Sequence, residues 1–306
     1  MDKIKIFAPA SVANVSCGFD VLGFCLDPIG DIMHITKTNK PGVVIRNVTG
    51  EILPKDPLKN VASVAANSLL ESYPTSKGFI IDIEKKIKPG SGIGSSAASA
   101  AGSVFAINQL LGKPFTEKEL LKFAMAGEAL ASGAAHADNL APVLLGGFTL
   151  VRSNSSLDVI KLPTPPDLFA TIIHPKIELK TIHSRAILKK EIPLKKAVKQ
   201  WGNLGAFVSA LHSNDYKLLS RSMKDEVIEP IRSMLIPKFN DVRNAALEAG
   251  ALGSGISGSG PSIYALSIGE ITAIKVGNAM KSFYETIKLD FDIHISCINK
   301  EGIKVL

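Results

Sequence analysis

Between Pro89 and Ala100 the chain reads PGSGIGSSAASA, the stretch that most narrows what the surrounding sequence can fold into. Glycines at 90, 92 and 94 allow positive φ and let the backbone approach a ligand closely. The small residues that follow predict a helix from Ser95 to Gly112, whose first N–H groups lack partners within the helix and face back toward the loop. A glycine loop opening a helix in this way is an anion site; the alternative is a flexible connection whose glycines only turn the chain. Neither common phosphate motif is satisfied. GxxxxGK[ST] requires a lysine that is missing, and GxGxxG requires a glycine where Ser95 stands. What remains is a triphosphate held by backbone dipoles and serine hydroxyls, with Ser96 in reach of Mg²⁺, a cation that accepts hydroxyl and carboxylate oxygens.

A second glycine-rich stretch, GALGSGISGSGPSIYAL, satisfies GxGxxG by letter from Gly253 to Gly258. The order of elements is wrong for a dinucleotide fingerprint, because the glycines follow a predicted helix and lead into a predicted strand. A Gly/Ser loop in that position either closes over phosphates from the second half of the chain or is a bulge-rich turn.

Around these loops, IKIFAPASV, DIMHITKT, GVVIRNV and KGFIIDIEKKI read as strands bounded by Pro, Gly, Asn and Lys. VASVAANSLLESY predicts a helix with Val61, Val64, Ala65, Leu69 and Tyr73 near one face. Thr116 with Glu119 three residues on forms a capping-box signature, so the next helix carries Glu128 near its end. LLGGFTLVRS returns to strand. Three prolines between Pro163 and Pro166 follow a Ser/Asn-rich turn, and the domain boundary is expected there, giving domains 1–160 and 161–306. Beyond it come the strand LFATIIHP, several helices including one ending at Gly250, the strand SIYALSI, a further helix and the closing strand FDIHISCIN. Strands and helices mixed in both halves, without regular βαβα alternation or any internal repeat, predict an α+β protein.

The 306 residues carry a formal charge of +7, which points to an anionic partner, either nucleic acid or a phosphorylated small molecule. Lys189, Lys190, Lys195, Lys196 and Lys199 cluster without the interleaved aromatics that stack on bases, so a solvated helix face is the simpler account and no nucleic-acid partner is expected. Cys17, Cys25 and Cys297 form no CxxC pair and are odd in number, which argues against disulfides and thiolate metal sites. With no secretory leader and no long apolar run, a cytoplasmic protein without a membrane partner is expected.

Several polar residues stand in apolar surroundings. Asn14 and Asp20 lie in APASVANVSCGFDVLGFCLD, where an unpaired carboxylate would be costly; a ligand ammonium group or a backbone cap would satisfy it. AHADNLAP gathers His136, Asp138 and Asn139, a set better suited to hydrogen-bonding a substrate than to holding a metal. Arg185 and Arg232 are isolated arginines beside apolar residues, fit to hold a carboxylate or to form surface salt bridges. His174, His212 and His294 read as structural.

Three ordered motifs now converge. APASVANVSCGFDVLGFCLD, PGSGIGSSAASA and SGISGSGPSIYAL, together with HADNLAP, Thr181 in TIHSRAIL, and EPIR, resemble the homoserine kinases of the GHMP (galacto, homoserine, mevalonate, phosphomevalonate) kinase superfamily over nearly the whole chain. The resemblance implies an N-terminal domain like the second domain of ribosomal protein S5, a ferredoxin-like C-terminal domain, and an active site between them. It implies that ATP lies on Pro89, Gly90, Ser91, Gly92, Ile93, Gly94, Ser95, Ser96, Ala97, Ala98 and Ser99, with Asn60 and Val61 near adenine. Ser96 and Glu128 would hold Mg²⁺, and Thr181 would approach the γ-phosphate. L-homoserine would lie against Asn14, Asp20, His136, Asn139, Arg185 and Arg232, its phosphorylation being the step that commits carbon to threonine. A homodimer is the implied assembly. Relatives such as mevalonate kinase have an aspartate base where Asn139 falls; an amide cannot take a proton from a hydroxyl, so catalysis by positioning and charge stabilisation is expected, with Asp138 the residue that could overturn this. A non-catalytic RNA-binding S5-like module, the competing class, would leave Glu128, Asp20 and both glycine loops without a role.

Overall fold

The computed structural model describes residues 1–133, 136–179 and 181–306, Ser132 by its backbone alone. The first half runs β1 (Lys3–Ala13), β2 (Leu22–Thr38), β3 (Gly42–Thr49), α1 (Val61–Ser72), β4 (Gly78–Glu84), α2 (Ser95–Leu110), α3 (Glu117–Ser132), α4 (Leu140–Leu145), β5 (Phe148–Ser153) and β6 (Asp158–Leu162). The second runs β7 (Leu168–Pro175), α5 (Thr181–Ala186), α6 (Leu194–Ser213), α7 (Tyr216–Ser222), α8 (Glu229–Arg232), α9 (Phe239–Glu248), β8 (Gly253–Ile256), β9 (Ile263–Ile268), α10 (Glu270–Thr286), β10 (Phe291–Ile298) and β11 (Lys304–Val305). The protein is α+β, as expected.

Strand β2 is longer than its sequence suggests, because Pro28 and Gly30 read as punctuation yet lie inside it. Opposite them β1 shifts register between Pro9 and Ser11, a bulge of the kind that accommodates proline within a sheet. At the bend β2 takes β10 as partner, Leu26 with Ile298 and Asp27 with Cys297, and so joins the sheets of the two halves. The second half has strand order β10-β7-β9-β8, the split βαβ pattern of ferredoxin-like domains. After β10 the chain returns to the first half, where β11 pairs with β1. Gly253–Ile256, expected as loop, is strand β8, and the true loop shortens to residues 257–262.

Helix α2 is buried nearly all round, which explains a run of alanine, serine and glycine in place of an amphipathic stripe. A Cβ on Gly102 would lie 2.5 Å from Met33 Sδ, so the helix sits hard against the sheet. On α1 the buried face is Ala62, Ser63, Ala65, Ala66 and Leu69, while Val64 is half-buried and Tyr73 exposed. Small side chains, rather than the larger apolar ones, let α1 approach its neighbours. Helix α3 begins with the expected capping box, Thr116 Oγ1 accepting from Glu119 N and Glu119 Oε2 accepting from Thr116 N. The second half has its own core around Ile173, Phe239, Val242, Ile263, Val276 and Tyr284. Cys17 and Cys25 are buried free thiols, both pushed up to about 12 by burial. Among the described residues no helix is long and apolar enough to cross a membrane.

Candidate active site

The loop before α2 places its glycines in the left-handed region, with φ of 75° at Gly90, 83° at Gly92 and 70° at Gly94. Glycine is needed at the last two for space as well as conformation. A Cβ on Gly92 would lie 2.5 Å from Gly260 O, and one on Gly94 2.0 Å from Ser11 Oγ. Gly94 is the N-cap of α2 and no side chain caps the helix, leaving the amides of the first turn for a ligand.

The second glycine loop braces the first. Ser257 Oγ donates to Gly92 O at 2.7 Å, and Ser262 donates to Ser91 O through both its amide, at 3.3 Å, and its hydroxyl, at 2.6 Å. Gly258 N donates to Ala13 O at 3.0 Å, while Gly258 O accepts from Asn14 Nδ2 at 2.8 Å and Arg232 Nη1 at 3.1 Å. One backbone turn therefore links the phosphate-type loop to the residues expected to meet the amino acid.

A cavity of about 890 Å³ opens between these loops. Its wall includes Asn14, Asp20, Asn60, Val61, Glu128, His136, Asp138, Asn139, Thr181, Arg185 and Arg232, so every substrate, metal and adenine candidate is gathered in one place. Of the loop, Pro89, Gly90, Gly92, Gly94, Ser95, Ser96 and Ser99 line it. Ser91, Ile93, Ala97 and Ala98 do not; they are buried behind it. His174, expected to be structural, also forms part of the wall, 3.7 Å from Asp292.

At one end, Ser96 Oγ donates to Glu128 Oε2 at 2.8 Å, so a hydroxyl and a buried carboxylate from α2 and α3 converge. These are hard oxygens of the kind Mg²⁺ takes alongside substrate phosphates and water. Among the described residues no group of three acidic, histidine or cysteine side chains forms a closed metal site. Asn60 caps α1, accepting from Ala62 N at 3.0 Å and donating to Pro54 O at 2.7 Å, so its amide is committed to backbone.

At the other end, Arg185 grips Asp20 with both terminal nitrogens, at 3.0 and 2.8 Å. Asn14, in left-handed conformation, accepts the Asp20 amide at 2.7 Å and fixes the turn that presents the carboxylate. His136 Nδ1 lies 3.7 Å from Asp20 Oδ2; burial, more than any charge, pulls this imidazole below its ordinary range. Arg232 is buried and donates to Ser184 O at 3.2 Å as well as to Gly258 O. Burial, with Arg185 adding, brings its guanidinium down to about 10. Phe19, which sequence reasoning missed, lies under both arginines, 5.5 Å from Arg185 and 5.0 Å from Arg232.

Between the two ends, Asn139 Oδ1 accepts from Ser11 Oγ at 2.8 Å, and Thr181 Oγ1 lies 3.1 Å from Ser259 Oγ. Asp138 is buried beside them, its carboxyl pushed up to about 7 by burial first and by Asp20 and Glu128 next. The arrangement offers an anion-binding helix terminus, a carboxylate–hydroxyl pair for a cation, and a cation–anion pair matched to a zwitterion.

Comparison with known proteins points the same way. Residues 60–147 match the GHMP kinases N terminal domain and residues 207–286 the GHMP kinases C terminal domain. The homoserine kinase of Chloroherpeton thalassium is 47% identical over all of both chains, and that of Chlorobium phaeobacteroides 45% identical over the same extent. A solved homoserine kinase from Cytophaga hutchinsonii is 54% identical and superposes with a TM-score of 0.96 over all of this chain and 98% of its own. An L. major mevalonate kinase shares the fold at 16% identity, with a TM-score of 0.72 over 97% of this chain and 99% of its own.

Proposed function

The chain belongs to the homoserine kinase family of the GHMP kinases, and from this we propose that it transfers the γ-phosphate of ATP to the side-chain hydroxyl of L-homoserine, giving O-phospho-L-homoserine for threonine biosynthesis. The observation that carries the assignment is the pairing of Asp20 with Arg185 in the cavity that also holds the α2 loop. Asp20 with His136 and Asn14 receives the α-ammonium group; Arg185 and Arg232 receive the α-carboxylate. Asp20 and Arg185 satisfy each other, and an amino acid offers each a further partner of the right sign. A ligand with only one of the two charges would leave a half-buried ion short of its partner.

The amides at the start of α2 and the loop from Pro89 to Ser99 cradle the ATP phosphates, with Asn60 and Val61 at the adenine end. Ser96 and Glu128 hold Mg²⁺, which supplies charge neutralisation at the phosphates when bound. Asn139 and Thr181 orient the hydroxyl and the γ-phosphate, and Asn139 takes no proton. The loose transition state of phosphoryl transfer needs little base assistance, so positioning and electrostatics are enough. We assign two domains divided near residue 160, as expected from the prolines, with β6 completing the first at Leu162 and β11 returning to it, together with a cytoplasmic location and a homodimer. Leu194, Val198 and Trp201, exposed at four- and three-residue spacing on α6, are the apolar face a second copy would cover.

A coupled ATPase assay against homoserine, mevalonate, galactose and shikimate tests the substrate. Homoserine should exceed each of the others in kcat/KM by at least about a hundredfold, a floor below the roughly 10⁴–10⁵ by which sites built to hydrogen-bond a polar group reject analogues lacking it. Comparable turnover of mevalonate would overturn the assignment.

Asp138 separates base-free transfer from base catalysis. Asp138→Asn should keep kcat within about tenfold of wild type; a loss of a hundredfold or more with unchanged substrate affinity would make Asp138 the base. Stability supplies an independent sign. The folded carboxyl sits near 7, above its ordinary 3.8, so its contribution to stability is full below about pH 4 and is lost as pH rises through 7. Asp138→Asn should therefore melt higher than wild type at pH 8, with the difference vanishing near pH 4, as thermal scans at the two pH values would report.

A further inference from the structure

The glycine loop lacks the lysine of a P-loop, yet a lysine stands directly behind it. Lys85 follows β4 and forms part of the cavity wall, but its side chain is only 1% exposed, and that of its partner Asp31, on β2, is 0% exposed. Lys85 Nζ donates to Asp31 Oδ2, to Ser95 O at 2.7 Å and to Ser99 Oγ at 3.1 Å. An ammonium group has three protons, and all three are used. In this arrangement Lys85 has no proton left to donate to a phosphate.

The rest of the network runs to backbone. Asp31 Oδ1 accepts the amides of Lys86 at 2.8 Å and Ile87 at 2.9 Å, and Ser95 Oγ donates to Ile87 O at 2.9 Å. The carboxylate end of the pair thus holds the segment leading into the glycine loop, while the ammonium end holds the first turn of α2. Stability alone is a poor reason to keep such a pair, since buried ion pairs can often be replaced by apolar residues at no loss. Orientation is a better one. Helix α2 has no capping side chain at Gly94, and the second glycine loop braces only Ser91 and Gly92, so the first turn itself is held through Ser95 and Ser99.

We propose that Lys85 is the positioning residue of the phosphate loop: with Asp31 it locks the first turn of α2 so that the free amides face the cavity, its ammonium adding positive potential from behind. The assignment rests on the cavity being the nucleotide site, and it goes beyond that by giving this ion pair a part in nucleotide affinity. The single change Lys85→Met strands the Asp31 carboxylate and should lower Tm markedly. The neutral pair Lys85→Met with Asp31→Asn removes both charges, and its Tm should recover to within a few degrees of wild type.

Nucleotide affinity should not recover with it. ADP binding measured by calorimetry in the full-length double variant is expected to be at least about tenfold weaker than in wild type, with the KM for homoserine within about threefold. Asp31→Asn alone, isosteric and outside the cavity wall, leaves the Lys85 ammonium without its counter-ion and should also lower Tm; measured below that Tm, it should show the same split and decides the matter if the double variant does not fold. ADP affinity that returns to the wild-type value in the folded double variant, or is unchanged in Asp31→Asn, would reduce the pair to a structural role. Failure of the wild-type protein to bind ADP would instead remove the nucleotide site itself.

Discussion

Replacing Arg232 by alanine is expected to raise the KM for homoserine by about a hundredfold while leaving the KM for ATP within about threefold. Arg232 is buried, its guanidinium stacked over Phe19 and donating to Ser184 O and Gly258 O. Two of its five N–H groups are thereby spent on backbone, which fixes the plane of the fork and leaves Nη2 as the nitrogen that would meet a carboxylate. Losing one member of a buried charged pair costs about 2–5 kcal/mol, which corresponds to roughly 30- to several-thousand-fold in affinity. Gly258 is also the turn that braces the phosphate loop, so a purely structural effect would reach both substrates. Two-substrate kinetics separates these outcomes: parallel rises in both KM values would show that Arg232 shapes the loop and does not bind the carboxylate. Arg232→Lys, which keeps the charge but loses the planar fork, should fall between alanine and wild type in the homoserine KM alone.

Local chemistry made much of the fold legible. Thr116 and Glu119 form a capping box that any sequence reader can find, and Gly90, Gly92 and Gly94 take the positive φ that their spacing implies. Features that depend on pairing across the chain were harder to see. Pro28 and Gly30 look like the end of a strand because the bulge that accommodates them is on β1, about 20 residues away. Asn60 looks like a binding residue, yet its side chain is a helix cap bonded to Pro54 O.

The same divide runs through the candidate site. Asp20 and Arg185 stand out singly as polar residues in apolar surroundings, but their mutual grip joins positions 165 apart and has no local signature. Phe19 reads as one more apolar residue until two guanidinium groups are found on its ring. Lys85 had a usable signal, a lysine at a strand end four residues before the glycine loop, but nothing local to it distinguishes a buried lysine from a solvated one. Burial decides the matter: a lysine with 1% side-chain exposure must spend its protons on protein, and where they go shows what it holds.

Glu128→Gln tests the other half of the cavity and should reduce kcat by about a hundred- to a thousandfold, the cost of removing one preorganised electrostatic contact to the transition state. Gln is isosteric, and its amide oxygen can still accept from Ser96 Oγ, so the contact between α2 and α3 survives and circular dichroism and Tm should stay close to wild type. What the change removes is the negative charge that, with the serine hydroxyl, would hold a magnesium ion and let it neutralise phosphate charge. The loss should therefore appear in kcat and in the Mg²⁺ concentration needed for half-maximal activity, while ADP binding without metal stays near wild type. Wild-type turnover in Glu128→Gln would sink the metal assignment. Loss of metal-free ADP binding would point to a distorted loop instead, because on the proposed assignment the amides of α2 would hold the phosphates whether or not the cation is present.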